Sequence, residues 1–319
     1  MELRAFGEPE VMSWATGELP DPDPDEVVVD VAAIGVNFGD TMVRRGEYRR
    51  DQPLSFVPGF EVAGRVRAGP ADGPPVGTPV VAFLEDGGGY ADTVVVPASH
   101  VFPVVDGIPL EVAAGLFTQG VTAWYAATRY GPVGPEGAVL VHGSAGGLGA
   151  LCVQLYRERG ARVIATASTA AKLDVARRHG AAATTLADPA TLTNEVRRLT
   201  DGRGVDVVVD GVGGALFAPS MRALAMNGRY VVVGSASQEP ANVDVRGLMP
   251  RGQSIVGFVV ARVAELDPRE PAAAFAAVQA AWLEGRIAPE IRMLPAADVV
   301  AAHRALEART TTGKLVLVL

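Results

Sequence analysis

The stretch Val139–Leu155, VLVHGSAGGLGALCVQL, decides the fold. Gly143, Gly146, Gly147 and Gly149 fall within seven positions, between an apolar run and an amphipathic one. A strand-to-helix turn needs glycine where φ is positive, or where another group must come close without meeting a Cβ. Joined to the N-terminus of a helix, such a loop resembles a pyrophosphate cradle. Its candidate residues are Ser144, Ala145, Gly146, Gly147 and Leu148. His142, at the end of the preceding strand, reads more readily as a satisfied strand residue than as a catalyst.

A glycine-rich turn alone has many structural uses, so its surroundings carry the argument. From Pro109, PLEVAAGLFTQGVTAWYAATRY has apolar residues at helical spacing. Strands and helices then alternate: AVLVH before a helix from Gly147, RVIATA before TAAKLDVARRHG, AAATTL before PATLTNEVRRLT, VDVVVD before ALFAPSMRALA, and then GRYVVVG. Strands that are apolar at consecutive positions are buried on both faces, as in a parallel sheet covered by helices. The pattern predicts a doubly wound α/β unit that binds a dinucleotide. Strand ends at Val209–Gly214 and Val232–Ser237 lie at the ligand-bearing edge of such a sheet, which makes Gly211, Gly234 and Ser235 candidates to line the cofactor ribose.

The first hundred residues differ in texture. EVVVDVAAIGV (Glu26–Val36) and TVVVPASHVFPVV (Thr93–Val105) are valine-rich runs among Gly, Pro and Asp turns, which predicts a β-rich unit with a helical turn at GDTMVRRGEY. The terminal GKLVLVL reads as a strand that rejoins this unit. The expected division is residues 1–114 with 262–319 as the β-rich domain and 115–261 as the nucleotide-binding domain.

Composition narrows the class. A net charge of −8 supplies no electrostatic reason to expect nucleic acid or an anionic membrane as a partner. Cys152 is the only cysteine, which excludes a disulfide framework and a cysteine metal cluster and fits a reducing compartment. MELRAFGEPE lacks the pattern of a secretory leader, and no apolar run approaches the length of a membrane span, so a cytoplasmic protein is expected. Of 28 basic residues only Lys172 and Lys314 are lysines, and both are candidate cofactor contacts.

The end of the second strand bears on which dinucleotide binds. Selection of NAD uses an acidic residue there for the ribose hydroxyls. Ala165–Lys172, ATASTAAK, has none; it holds Ser168, Thr169 and Lys172. Two hydroxyls and an ammonium suit a 2′-phosphate, so NADPH is the expected cofactor. A helix cap at Ser168 or Thr169 is compatible with that role.

The GSAGGLG loop, GVNFGDTMVRRGEY, PGFEVAGRV, GGGYADTVVVP and TTGKLVLVL together resemble the medium-chain dehydrogenase/reductase superfamily, nearly end to end. Within it they are most similar to the zinc-free quinone oxidoreductase (zeta-crystallin-like) group, whose relatives include polyketide enoyl reductase domains. The resemblance implies a GroES-like β-rich catalytic domain beside a Rossmann domain, and often a homodimer. It also implies hydride transfer from NADPH to a quinone or an α,β-unsaturated carbonyl, with an enoyl thioester or a polyketide-type intermediate as the alternative acceptor. A non-catalytic NADPH-binding sensor is an alternative of another class.

Zinc members of the superfamily resemble one another in a Cys near the Asn-Asp segment, a His in Gly-His-Glu and a four-cysteine lobe. This sequence has Gly35, Phe60 before Glu61, and scattered histidines at 100, 142, 179 and 303, so a zinc-independent reaction is expected and no metal ligands are assigned.

The resemblance further implies Asn37 and Asp40 at the active-site floor, Tyr48 as a proton donor, Thr122 near the cofactor and Lys314 close to the site. Phe258 and Val259 would pass the nicotinamide amide and help pair subunits. Each has a second reading: turn and cap residues for Asn37 and Asp40, a rim aromatic for Tyr48, a solvated strand end for Lys314, an ordinary edge strand for Gly257–Val260. Glu61 and Tyr90 read as structural. Arg44, Arg45, Arg49 and Arg50 form either a basic rim for a large acyl carrier or a solvated helix face.

Overall fold

The computed structural model describes residues 1–48, 54–267 and 269–319; Arg49 and Arg50 of the basic segment lie outside them. The chain divides into two compact units. One comprises Met1–Thr118, Asp267–Gln279 and Glu290–Leu319, the other Gln119–Leu266 and Ala280–Pro289.

The second unit is an α/β layer structure. Its six strands are Ala138–Val141, Arg162–Ala167, Ala183–Leu186, Val205–Asp210, Leu224–Val232 and Ser254–Gly257, all paired in parallel. Numbered in chain order within the unit, they lie 3-2-1-4-5-6 across the sheet, the doubly wound order with its switch point beside the first strand. All four residues of Ala138–Val141 are buried, as a central strand covered on both faces requires. Leu140, Ile164, Leu192, Val208, Phe217 and Tyr230 pack into one core cluster of the unit.

The first unit is a β structure built around one long strand, Glu26–Val36. It pairs with Glu61–Ala68 along its length, with Thr93–Pro97 over its first half and with the terminal strand Lys314–Val318 over its last four residues, all antiparallel. Pro79–Phe83, Val101–Pro103 and Ile291–Pro295 complete the seven-stranded sheet. The registers Leu315 with Val36 and Gly35 with Glu61 bring residues from three distant parts of the chain to one corner. Gly35 is required there, because a Cβ would lie 2.1 Å from the Ala114 carbonyl oxygen and 2.7 Å from Glu61 Cγ.

The helical run expected from Pro109 is interrupted: helices span Leu110–Ala113 and Phe117–Tyr125, and a wider turn follows over Ala126–Tyr130. At the break, Gly115 packs against Ile291 and Lys314, and a Cβ there would come within 3.1 Å of Ile291. The interruption leaves the Thr118 N–H to bond to Glu61 Oε2 at 2.8 Å.

Candidate cofactor and active site

In the α/β unit, the glycine loop joins the first strand to the helix Gly147–Glu158. Each glycine has its own reason. Gly143 has φ +60°. A Cβ on Gly149 would lie 2.3 Å from the Gly143 carbonyl oxygen and 2.8 Å from Ser144 Cα, so helix and loop touch through backbone. A Cβ on Gly147 would meet the Gln119 side-chain oxygen at 1.8 Å. At Gly146 the one neighbour is the Gly143 oxygen at 3.4 Å, an ordinary contact, and no side chain caps the helix there. The uncapped helix end beside Gly146 therefore meets the requirements of a phosphate: open approach and N–H groups with a positive dipole end.

The five cradle candidates divide by burial. Gly146 and Leu148 are half-buried, whereas Ser144, Ala145 and Gly147 are buried. Ser144 spends both donors on the Thr166 carbonyl, its N–H at 3.1 Å and its hydroxyl at 2.9 Å, which ties the first two strands together. His142 is buried between Thr166 Oγ1 and Ser220 Oγ, each at 2.7 Å, and burial pushes its pKa below the usual histidine value. It is a satisfied strand residue. Gln119 was not singled out in the sequence, since its contact with Gly147 is tertiary; Thr122, half-buried, is one turn further along the same helix face.

At the end of the second strand, Ser168 and Thr169 are exposed and Lys172 is half-buried. Thr169 is the N-cap of the helix Ala170–Arg178, its hydroxyl accepting from the Lys172 N–H at 3.3 Å. Further along the sheet edge, Ala236 N–H bonds to the Gly211 carbonyl at 3.0 Å, and a Cβ on Gly234 would lie 3.2 Å from that oxygen. Leu148 reaches to 4.0 Å from where a Gly211 Cβ would stand, so loop and strand ends converge. Gly234 and Ser235 are exposed. Phe258 stacks on Tyr130 with ring centroids 4.1 Å apart and meets Tyr125 edge-on, and Val259 beside it is half exposed.

In the β unit, the corner set by the sheet register gathers Asn37, Glu61 and Lys314. Lys314 is 1 % exposed and forms an ion pair with Glu61, which is wholly buried. It is not a solvated strand end. Its ammonium also donates to Asn37 Oδ1 at 2.7 Å, and Asn37 Nδ2 donates to Glu61 Oε1 at 3.0 Å, which closes a triangle. Asn37 is also the N-cap of the helix Phe38–Arg44, where its N–H donates to Asp40 Oδ2 at 2.7 Å.

Asp40 is fully buried, and burial raises its pKa to about 7 against the opposing pull of the Asn37 N–H and the Lys314 ammonium. Tyr90, also fully buried, bonds to Asp40 Oδ2 at 3.2 Å and to His303 Nε2 at 2.9 Å. Arg44 is buried in turn, bonded to the Gly7 carbonyl at 2.6 Å and paired with Glu307. It belongs to the interior, whereas Arg45 is a partly exposed partner of Glu47. Tyr48 is 49 % exposed and packs on Phe60 with ring centroids 5.3 Å apart. The structure thus brings Asn37, Asp40 and Lys314 together, with Tyr90 and His303 behind them.

Comparison with known proteins gives this geometry a family. Residues 23–106 match the model for an alcohol dehydrogenase GroES-like domain, and residues 147–277 match the model for a zinc-binding dehydrogenase. Over 99 % of its length the chain is 34 % identical to a probable quinone oxidoreductase of Schizosaccharomyces pombe, covering 96 % of that protein. The chain belongs to the medium-chain dehydrogenase/reductase superfamily. Its similarities within the superfamily include quinone oxidoreductases. They extend to a 2-haloacrylate reductase of Burkholderia sp, 32 % identical over 98 % of this chain and 96 % of that protein. A mycobacterial protein solved in complex with NADPH superposes with a TM-score of 0.93 at 34 % identity, covering all of this chain and 99 % of the other. This dehydrogenase/reductase sets the ammonium of Lys314, rather than further His or Cys side chains, against Glu61. Among the described residues no group of three or more His, Cys, Asp or Glu is arranged to hold a metal ion. Among them, too, no helix is long and apolar enough to cross a membrane.

Proposed function

We propose that the chain is a zinc-independent, NADPH-dependent reductase whose acceptor is a quinone or an α,β-unsaturated carbonyl compound. The observation that carries the cofactor reading is the uncapped, open helix end at Gly146 together with a second strand that ends in Ser168, Thr169 and Lys172 and no acid. NADPH supplies the hydride when bound. The chain's own residues bind and orient: the loop N–H groups hold the pyrophosphate, and the Ser168 and Thr169 hydroxyls with the Lys172 ammonium hold the 2′-phosphate. Gly211, Gly234 and Ser235 leave room for the ribose, while Thr122, Phe258 and Val259 complete the cofactor contacts; Lys314, expected from the resemblance as a contact, is buried against Glu61 and Asn37 and acts through Asn37.

Asn37 is the polar group of the β unit offered to the reacting end, fixed by Lys314 and Glu61 so that it loses no rotamer freedom on binding. Asp40, without exposure of its own, acts through Asn37. Tyr48, half exposed, carries the phenol that is the proposed proton donor to the reduced acceptor. The kinship with a quinone oxidoreductase and a 2-haloacrylate reductase supports an electron-poor acceptor. A cytoplasmic homodimer belongs to the same reading; Ser254–Gly257, the terminal strand of its sheet, supports pairing along that edge. Loss of NADPH absorbance against a benzoquinone, a naphthoquinone, an α,β-unsaturated ketone and a crotonyl thioester tests it. Turnover of quinone or ketone is expected; turnover of the thioester alone favours the acyl alternative, and NADPH binding without turnover of any favours a sensor.

A further inference from the structure

Behind Asn37 lies a line of buried groups that the proposed reaction leaves unused. His303, in the helix Val299–Glu307, Tyr90, between two strands, and Asp40, in the first turn of its helix, are each wholly buried. Their contacts run in series: His303 Nε2 to Tyr90 Oη at 2.9 Å, and Tyr90 Oη to Asp40 Oδ2 at 3.2 Å. The His303 ring meets the Tyr90 ring edge-on with centroids 5.7 Å apart, which fixes both side chains in plane and distance. A phenol has one proton, so it gives to one neighbour and receives from the other.

We propose that Tyr90 and His303 are positioning residues forming one directed hydrogen-bond chain, His303 Nε2–H to Tyr90 Oη–H to Asp40 Oδ2, and that this direction sets the protonation of Asp40 and so of the cap that orients Asn37. Two arrangements satisfy the phenol. In the first, Asp40 is a carboxylate that accepts from both Asn37 and Tyr90, and His303 carries its proton on Nε2. In the second, Asp40 carries a proton, Tyr90 turns to donate to His303, and the imidazole proton moves to Nδ1. Among the described residues Nδ1 of His303 has no hydrogen-bond partner, and neither has Asp40 Oδ1. The second arrangement therefore strands an N–H donor in the interior, the rarer and costlier omission, whereas the first leaves bare only lone pairs.

The chain thus opposes burial, which drives Asp40 towards protonation. The charged and titratable neighbours of these groups are Lys314 and Glu61 on the Asp40 side, Arg44, paired with Glu307, on the His303 side, and the Met1 ammonium, which donates to the Tyr90 carbonyl at 2.6 Å. Burial and the Arg44 charge keep the His303 ring neutral, to about 3, so the chain works with an imidazole and not an imidazolium. No local pattern encodes this line, whose two links span 50 residues from Asp40 to Tyr90 and 213 from Tyr90 to His303.

The test uses the full chain. Long-range proton–nitrogen correlation spectra of the ¹³C,¹⁵N-labelled protein read the tautomer of each of its four histidines, with His303 assigned by through-bond correlation to its own backbone. Above neutrality His303 is expected to carry its proton on Nε2; a proton on Nδ1 overturns the proposal, and this readout needs no folded variant. Tyr90→Phe keeps the ring and removes the donor. The Asp40 carboxyl midpoint, followed by its ¹³C shift, is expected to rise by about one pH unit. The corresponding limb of the kcat profile should move with it, at unchanged KM for NADPH. An unmoved midpoint also overturns the proposal, as does a fall in kcat that is uniform in pH. The kinetic effect rests on the reductase reading; the tautomer and the carboxyl midpoint do not, so failure of one is separable from failure of the other.

Discussion

Lys314→Met is the perturbation that most directly probes the corner at Asn37. It leaves the Glu61 carboxylate wholly buried with two remaining donors, Asn37 Nδ2 at 3.0 Å and the Thr118 N–H at 2.8 Å, and no counter-charge in contact. Stranding one member of a buried ion pair costs about 3–5 kcal/mol. For a unit of this size each kcal/mol lowers the midpoint by about 2–4 °C, so a fall of about 6–20 °C is expected in thermal unfolding. Glu61→Gln added to Lys314→Met removes the stranded charge and keeps an amide oxygen for Thr118 and an amide N–H for Asn37 Oδ1. The double variant should therefore lose only about 1–2 kcal/mol, less than Lys314→Met alone. Thermal and urea unfolding of wild type, both singles and the double measure the coupling, which is the sum of the two single losses less the loss of the double and is expected to be at least about 2–3 kcal/mol in favour of the pair. Additive losses, or a double variant weaker than either single, would refute the claim that Lys314 serves first to neutralise Glu61.

Four further outcomes follow from the site. Lys172→Glu should weaken NADPH by at least about tenfold while leaving NADH nearly unchanged, read by fluorescence titration; equal effects on both would count against a 2′-phosphate contact. Gly149→Ala, which forces a Cβ against the Gly143 carbonyl, should unfold earlier and bind NADPH poorly, whereas Gly146→Ala, with its one neighbour at 3.4 Å, should keep its midpoint and lose affinity alone. Asp40, with its pKa raised to about 7, makes stability fall as pH rises from about 4 to 7, and His303, lowered to about 3, makes it rise from about 3 to 6.5. The two slopes oppose, so Asp40→Asn should expose a stability that climbs with pH over that range; a flat profile in urea unfolding would show that His303 is not depressed. Tyr48→Phe should lower turnover with enone acceptors several-fold at unchanged NADPH affinity, and unchanged turnover would assign the proton to water.

Local rules carried much of the fold. The glycine loop, the buried strands without alternation and the missing acid after Ala167 are all readable along the chain, because phosphate geometry and sheet burial impose short-range patterns. The loop still held a surprise: Gly147 answers to Gln119 and Gly149 to the loop backbone, so two of the four glycines serve packing within the protein. What the pattern did not carry was register. Leu315 opposite Val36 and Gly35 opposite Glu61 turn Lys314 from an apparent strand-end charge into a buried partner of Glu61 and Asn37, and no periodicity encodes that. The same holds for the helix break at Ala114–Leu116, where apolar spacing predicts continuity and the packing of Gly115 on Ile291 and Lys314 interrupts it.

The central claim is hydride transfer from NADPH to an electron-poor carbon, and isotope transfer tests it most directly. The protein would be given NADPH dideuterated at the nicotinamide C4 and an α,β-unsaturated ketone, and the product analysed by mass spectrometry. One deuterium at the β-carbon of the saturated ketone, with NADH far less effective as donor, is the predicted result. Saturated NADPH binding with no deuterium in the ketone product and no NADPH-dependent reduction of a quinone would contradict the account.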